Sequence, residues 1–166
     1  MTIAPLAGFS TAVGFRDDPA VSADGGSLQS VWRELRRANA QTGRRAEVET
    51  ALSAVCRAAS ADNWDGYGAK AVNFATRRQA ERFLDILPAT VPAPDIGVDP
   101  DGEVSFEWHR APRLVFSISV GDASELSYAG LFGTATAHGR DQFIDGLPTA
   151  VMENLRRLYS EELPRS

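Results

Sequence analysis

Residues 103–120, EVSFEWHRAPRLVFSISV, contain the pattern that decides the fold we predict for this chain. Apolar and polar residues alternate as far as His109, and the alternation resumes after Ala111-Pro112. Successive side chains of a β-strand point to opposite faces, so this pattern predicts two antiparallel strands, each with one buried and one solvent-exposed face. A hairpin is not stable alone in water, and its apolar face therefore needs a covering layer. The residues predicted for the buried face are Val104, Phe106, Trp108, Leu114, Phe116, Ile118 and Val120.

Helical patterns lie on both sides of this hairpin. Apolar residues with helical spacing follow Ser27, which occupies the position of an N-cap, and Gly43 predicts a break after them. The single cysteine, Cys56, belongs to the apolar face of the next helical segment, where we expect a small buried side chain rather than a catalytic thiol. The predicted helices cover about residues 27–43, 44–59 and 73–87, and a fourth begins at Pro148.

Shorter patterns of period two extend the hairpin into a meander. A short strand is predicted at residues 95–98, ahead of the turn Asp99-Pro100-Asp101-Gly102. Further strands are predicted at residues 125–132 and, as a short edge strand, at residues 134–138. Helix and strand patterns are thus segregated along the chain. This predicts an α+β fold, an antiparallel β-meander of about four to five strands packed on one face by about three to four helices.

Length and composition are those of an ordinary globular protein. The 166 residues are enough for one domain with a substantial core, and we predict a loosely ordered arm at residues 1–26 before a single domain at residues 27–166. No apolar run approaches the roughly 20 residues of a membrane-spanning helix, so we expect no membrane partner. A single cysteine excludes an internal disulfide and favours the reducing cytoplasm.

Charge is distributed unevenly along the chain. Residues 1–60 carry seven arginines against six acidic residues, whereas residues 61–166 carry ten basic against sixteen acidic residues. A net charge of −5 argues against general nucleic-acid binding, and an arginine cluster in the first helices leaves it as a weaker alternative. That cluster is Arg33, Arg36, Arg37, Arg44 and Arg45.

The sequence contains no common catalytic motif. Nucleotide-binding glycine loops, paired-cysteine zinc motifs and the serine-hydrolase elbow are all missing, and we assign no catalytic residue, metal or cofactor. Metal-assisted hydrolysis is the hardest class to set aside, because Glu107 and His109 share the solvent face of one strand. His138 and Asp141 could approach from the sheet edge, with Asp65 as a further carboxylate, but nothing in the sequence brings His138 near His109. A small metal-dependent hydrolase or nuclease is therefore the alternative function.

The loop Asn63-Trp64-Asp65-Gly66-Tyr67-Gly68-Ala69 has two interpretations. It is either a recognition loop, since Trp and Tyr are enriched in interface hot spots, or a joint between helices. In the joint, both aromatic side chains would pack into the core and Asp65 would accept hydrogen bonds from backbone N–H groups. An acidic group around the hairpin would attract a basic partner. The candidate binding residues are Trp64, Asp65, Tyr67, Asp99, Asp101, Glu103, Glu107 and His109.

Several strings of this chain resemble those of a group of small uncharacterised bacterial proteins of mobile-gene type. They are NWDGYGAKAV at residues 63–72, FLDILP at residues 83–88, PDGEVSFEW at residues 100–108 and LSYAGLFG at residues 126–133. The resemblance covers roughly residues 62–160. It implies a cytoplasmic accessory protein, such as one half of a toxin–antitoxin or defence pair, and implies no activity or catalytic residue.

Our leading functional prediction is a protein-interaction module rather than an enzyme. The lack of catalytic motifs and the acidic C-terminal part together favour a small acidic protein that binds another, basic protein. The resemblance makes it antitoxin-like, immunity-like or defence-associated. The sequence names neither the partner nor the oligomeric state.

Overall fold

The structure is a computed structural model that describes residues 21–160, except the side chains of residues 21–29, 32, 39 and 41. Most of the predicted N-terminal arm therefore lies outside the described residues. The chain divides into two compact units, Met1–Asn39 and Ala40–Ser166, and the sheet belongs to the second. None of the described helices is both long and apolar enough to span a membrane. The elements are α1 (Val21–Ala58), α2 (Phe74–Ile86), β1 (Asp95–Val98), β2 (Val104–Ala111), β3 (Leu114–Val120), β4 (Glu125–Phe132), β5 (Ala135–Gln142) and α3 (Thr149–Ser160).

One helix replaces the first two that we predicted. α1 begins at Val21, ahead of the predicted N-cap Ser27, and runs through Gly43, so both the predicted cap and the predicted break are wrong. A glycine inside a helix costs only about 1 kcal/mol relative to alanine, and the arginine, alanine and glutamate residues that follow Gly43 are good helix formers. A Cβ at Gly43 would meet no atom within 4 Å, so no close contact requires a glycine there.

α2 and α3 lie where helices were predicted. The side chain of Asn73, the N-cap of α2, accepts a hydrogen bond from the backbone N–H of Thr76 at 2.8 Å. α3 follows directly after Pro148, whose missing N–H costs nothing at the start of a helix. Each helix buries one stripe of residues, as the apolar face of the hairpin requires.

The five strands form one antiparallel sheet in the order β1-β2-β3-β4-β5, which confirms the predicted α+β meander. β5 is longer than the edge strand predicted at residues 134–138. It pairs with β4 along its whole length, from Phe132 opposite Ala135 to Glu125 opposite Gln142. The Ala, Gly and Asp residues of β5 are poor strand formers, so the pairing with β4, rather than local preference, accounts for its length.

The core lies between the sheet and the helices. All seven apolar residues predicted for the buried face of the hairpin are at most 5% exposed. Each helix contributes to the same cluster, with Leu52 from α1, Phe83 from α2 and Leu155 from α3. The indole Nε1 of Trp108 donates a hydrogen bond to the carbonyl of Pro92 at 2.8 Å, so the polar atom of this buried ring is satisfied.

No described helix covers the opposite face of the sheet, which we call the open face. The strand registers place small side chains at its centre and charged or polar side chains on its margins. Val115 and Leu131 also lie on it, half-buried and outside the core cluster. The central residues are Ser105, Ser117, Ser119, Ser127 and Ala129, and the marginal residues include Asp95, Glu107, His109, His138 and Arg140.

Candidate functional site

The loop between α1 and α2 is held in one conformation by hydrogen bonds to its own backbone. Asp65 Oδ1 accepts from the N–H groups of Tyr67, at 2.8 Å, and Ala69, at 3.1 Å. Asn63 Oδ1 accepts from the N–H of Gly68 at 2.8 Å. The bonds from Tyr67 and Ala69 hold the pKa of the Asp65 carboxyl below its usual value, because they favour its ionised form. The loop is therefore a preorganised structure, and Asp65 caps backbone N–H groups as the joint interpretation predicted.

The two aromatic residues of this loop have different environments. Trp64 is half-buried, and its indole Nε1 donates to the carbonyl of Lys70 at 3.0 Å. Tyr67 is 95% exposed and Trp64 lies outside the core cluster, so the expectation that both rings pack into the core is wrong. The reason lies in the backbone: Tyr67 stands between Gly66 and Gly68, which both have positive φ, and its N–H is fixed by Asp65. The turn therefore presents the phenol ring to solvent.

This loop lies against the turn that joins β1 to β2. The backbone N–H of Lys70 donates to the carbonyl of Pro100 at 2.8 Å. Gly102 has a φ of +89°, and a Cβ there would lie 2.8 Å from the carbonyl oxygen of Ala71, so only glycine fits this contact. The contact brings together candidates that are far apart in sequence. We call this surface the aromatic-acidic end, and it comprises Trp64, Asp65, Tyr67, Asp99, Asp101 and Glu103.

The carboxylates of the aromatic-acidic end are crowded. Partial burial raises the pKa of Glu103, and the neighbouring charges of Asp101, Asp99 and, more weakly, Asp122 raise it further. The side chain of Asp99 accepts a hydrogen bond from Ser119 Oγ at 2.7 Å, which fixes its position. Like charges at this spacing make the ionised state of Glu103 costly, and a cation bound nearby would relieve that cost. The end is thus a locally acidic surface.

Glu107, His109 and His138 are not brought together. Glu107 and His109 lie on the open face of β2, away from the aromatic-acidic end. The registers place Glu107, Ser117, Ala129 and His138 in one row across four strands, so Glu107 and His138 are about 14 Å apart. Within residues 21–160, no three His, Cys, Asp or Glu side chains are grouped as ligands for a metal ion. The described residues of the sheet therefore provide no metal site for the hydrolase alternative.

Two further residues considered from the sequence, Cys56 and Arg45, are accounted for by their structural surroundings. Cys56 is buried, and burial raises the pKa of its thiol, which disfavours the reactive thiolate. Arg45 donates hydrogen bonds to the carboxylates of Glu49 and Asp85. This member of the arginine cluster, considered above for phosphate binding, is therefore already paired with acidic side chains. These pairs are solvent-exposed and worth little stability.

The serines of the open face are residues that the sequence reasoning did not select. Ser117 and Ser119 alternate with buried residues of β3, and this alternation already assigned them to the solvent face. Their alignment with Ser105 on β2 and Ser127 on β4 depends on the strand registers. The sequence of any one strand contains no signal that its serine will align with the serines of neighbouring strands.

Comparison with known proteins adds no relative. No protein-family model, curated protein or solved structure matches the chain. The candidate site accordingly rests on its own geometry: a fixed loop with an exposed tyrosine, joined to a crowded group of carboxylates.

Proposed function

We propose that the protein is a small acidic cytoplasmic module that acts by binding another protein through its aromatic-acidic end. The observation that carries this proposal is Tyr67, which is 95% exposed on a loop whose conformation is fixed by hydrogen bonds. A loop whose backbone is already fixed loses little backbone entropy on binding, and tyrosine is enriched among the residues that dominate interface energies. Exposed on an otherwise ordered surface, Tyr67 has the properties of such an anchor.

The charge of the turn that contacts the loop indicates the kind of partner. Asp99, Asp101 and Glu103 surround the turn that contacts the loop, and the chain from residue 61 onward is acidic. Complementary charge steers association and discriminates against wrong partners. The partner is therefore a basic protein. In the setting implied by the motif resemblance, it is the toxin or effector that an antitoxin-like or immunity-like protein restrains.

Affinity capture with matched variants tests this function. The full chain is used to capture proteins from its native host, and a captured basic protein is then purified and titrated against wild type, Tyr67→Ala and Ile144→Ala. Ile144 is also exposed, at 53%, and lies outside the aromatic-acidic end. We expect Tyr67→Ala to weaken binding by about 2 kcal/mol or more, as at other hot spots, and Ile144→Ala to leave it unchanged.

A charge variant completes this test. Asp101→Asn is expected to slow association and to reduce its dependence on salt, because exposed charges at an interface act mainly on the association rate. A partner that binds Tyr67→Ala and Asp101→Asn as tightly as the wild-type protein would refute the proposed surface.

A further inference from the structure

The centre of the open face consists of small side chains, which we call the serine floor. Ser105, Ser119 and Ser127 lie in one row across β2, β3 and β4, and Ser117 and Ala129 lie in the next row. From β2 to β4 the floor spans two strand spacings, about 10 Å, and along β3 the open-face positions from Ser119 to Val115 extend for about 13 Å. The width matches an α-helix, which is about 10–12 Å across, and the length corresponds to about nine helical residues.

The floor also offers both kinds of contact that a helix needs. The serine hydroxyls donate and accept hydrogen bonds. Val115 and Leu131 form an adjacent apolar row, paired directly across β3 and β4. Both are half-buried side chains outside the core cluster, so covering them with a partner would remove further apolar surface from water.

The charges of this face indicate which helix it accepts. Arg140 provides a guanidinium at the β5 margin, where it already lies 3.6 Å from a carboxylate oxygen of Glu125. The carboxylates clearly outnumber it, so an acidic helix or a nucleic acid would be repelled. A second copy would bring the same excess of negative charge, so it is disfavoured too. The strand registers place Asp95, Glu107 and Glu125 on this face, and Asp99 reaches it through its hydrogen bond with Ser119. Glu103 also lies there, beside Gly121 at the end of β3.

We propose that the open face binds a basic α-helix of the partner protein, which lies along the serine floor with its Lys and Arg side chains directed to the acidic margin. The inference rests on the proposed function and specifies the partner's chemistry. Asp99 and Glu103 belong both to the open face and to the aromatic-acidic end, so one partner can contact the two surfaces together.

Defined peptides test this inference without knowledge of the partner. The first probe is an alanine-based helical peptide of about 18 residues with lysines and arginines along one flank, and the second carries glutamates at the same positions. Each is titrated into the isotope-labelled full chain and followed by NMR. We expect the basic peptide to bind, with the largest amide shifts in β2, β3 and β4, and the glutamate peptide to cause none.

Variants of the protein separate shape from charge. Ser117→Tyr places a bulky side chain on the serine floor, and tyrosine is compatible with a strand. Glu107→Lys reverses the charge of one residue at the acidic margin. Each is expected to weaken binding of the basic peptide about tenfold or more, while Glu153→Lys, an equal charge change on an exposed residue of α3, has little effect. Thermal unfolding of each variant confirms that the fold is intact.

The outcomes distinguish this inference from the proposed function. It is overturned if Ser117→Tyr binds the basic peptide like the wild type, if the shifts fall only on loop 62–71, or if sedimentation shows a dimer that the Ser117→Tyr substitution dissociates. If one of these results is obtained while Tyr67→Ala still weakens partner binding as expected, the proposed function stands without the sheet face. If Tyr67→Ala has no effect, the proposed function fails by its own test.

Discussion

Trp108 and Glu107 are neighbours in sequence with opposite structural roles. Trp108 is 2% exposed, whereas Glu107 is exposed on the open face. We predict that Trp108→Ala lowers the free energy of unfolding by about 3–5 kcal/mol, because it leaves a cavity and removes the hydrogen bond to Pro92. Glu107→Ala should change it by less than about 1 kcal/mol. Urea denaturation measures both, and a larger loss for Glu107→Ala would show that the β2 register is wrong.

Within α1, Gly43 is the position where local pattern and structure disagree. The helix continues through it, and a Cβ there would meet nothing within 4 Å. We therefore predict that Gly43→Ala stabilises the protein, by up to about 1 kcal/mol, through helix propensity alone. Thermal unfolding and helical circular dichroism report the change. Destabilisation by this substitution would mean that the chain does break at Gly43, as the sequence pattern indicated.

For the whole molecule, the acidic charge predicts how stability depends on pH. The pKa of Glu103 is raised in the folded protein, mainly by burial, so its contribution to stability is present below its unfolded pKa and is lost as the pH rises through its folded pKa. The Glu103→Gln variant should therefore be more stable than the wild type at neutral pH, and this advantage should disappear in acid. Urea denaturation at several pH values measures the difference.

The pKa of Asp65 is shifted in the opposite direction to that of Glu103, so an Asp65 variant serves as the control. Its pKa is lowered by the N–H groups of Tyr67 and Ala69, so its contribution is present above its unfolded pKa and is lost as the pH falls through its folded pKa. Asp65→Asn should therefore be less stable than the wild type at neutral pH, with a difference that shrinks in acid. If both variants responded to pH with the same sign, the assignment of these two carboxyls would be contradicted.

The local sequence pattern was sufficient to predict most helices and strands and to predict which face of each is buried. The two-residue period of a strand and the spacing of helical stripes depend only on neighbouring residues, so the sequence by itself determined that Trp108 is buried and that Glu107 is exposed. The same patterns predicted α2, α3 and the α+β meander. They predicted α1 and β5 less well, because Gly43 and the weak strand formers of β5 are placed by the continuity of a helix and by pairing with β4.

Only the tertiary structure decided which distant residues meet. It placed Tyr67 at the tip of a fixed loop, joined that loop to the turn at Gly102, aligned the serines of three strands, and put His138 about 14 Å from Glu107. The physical reason is that a side chain's direction follows from its own backbone, whereas its neighbours depend on strand order and register. These are set by packing of the whole sheet against its helices.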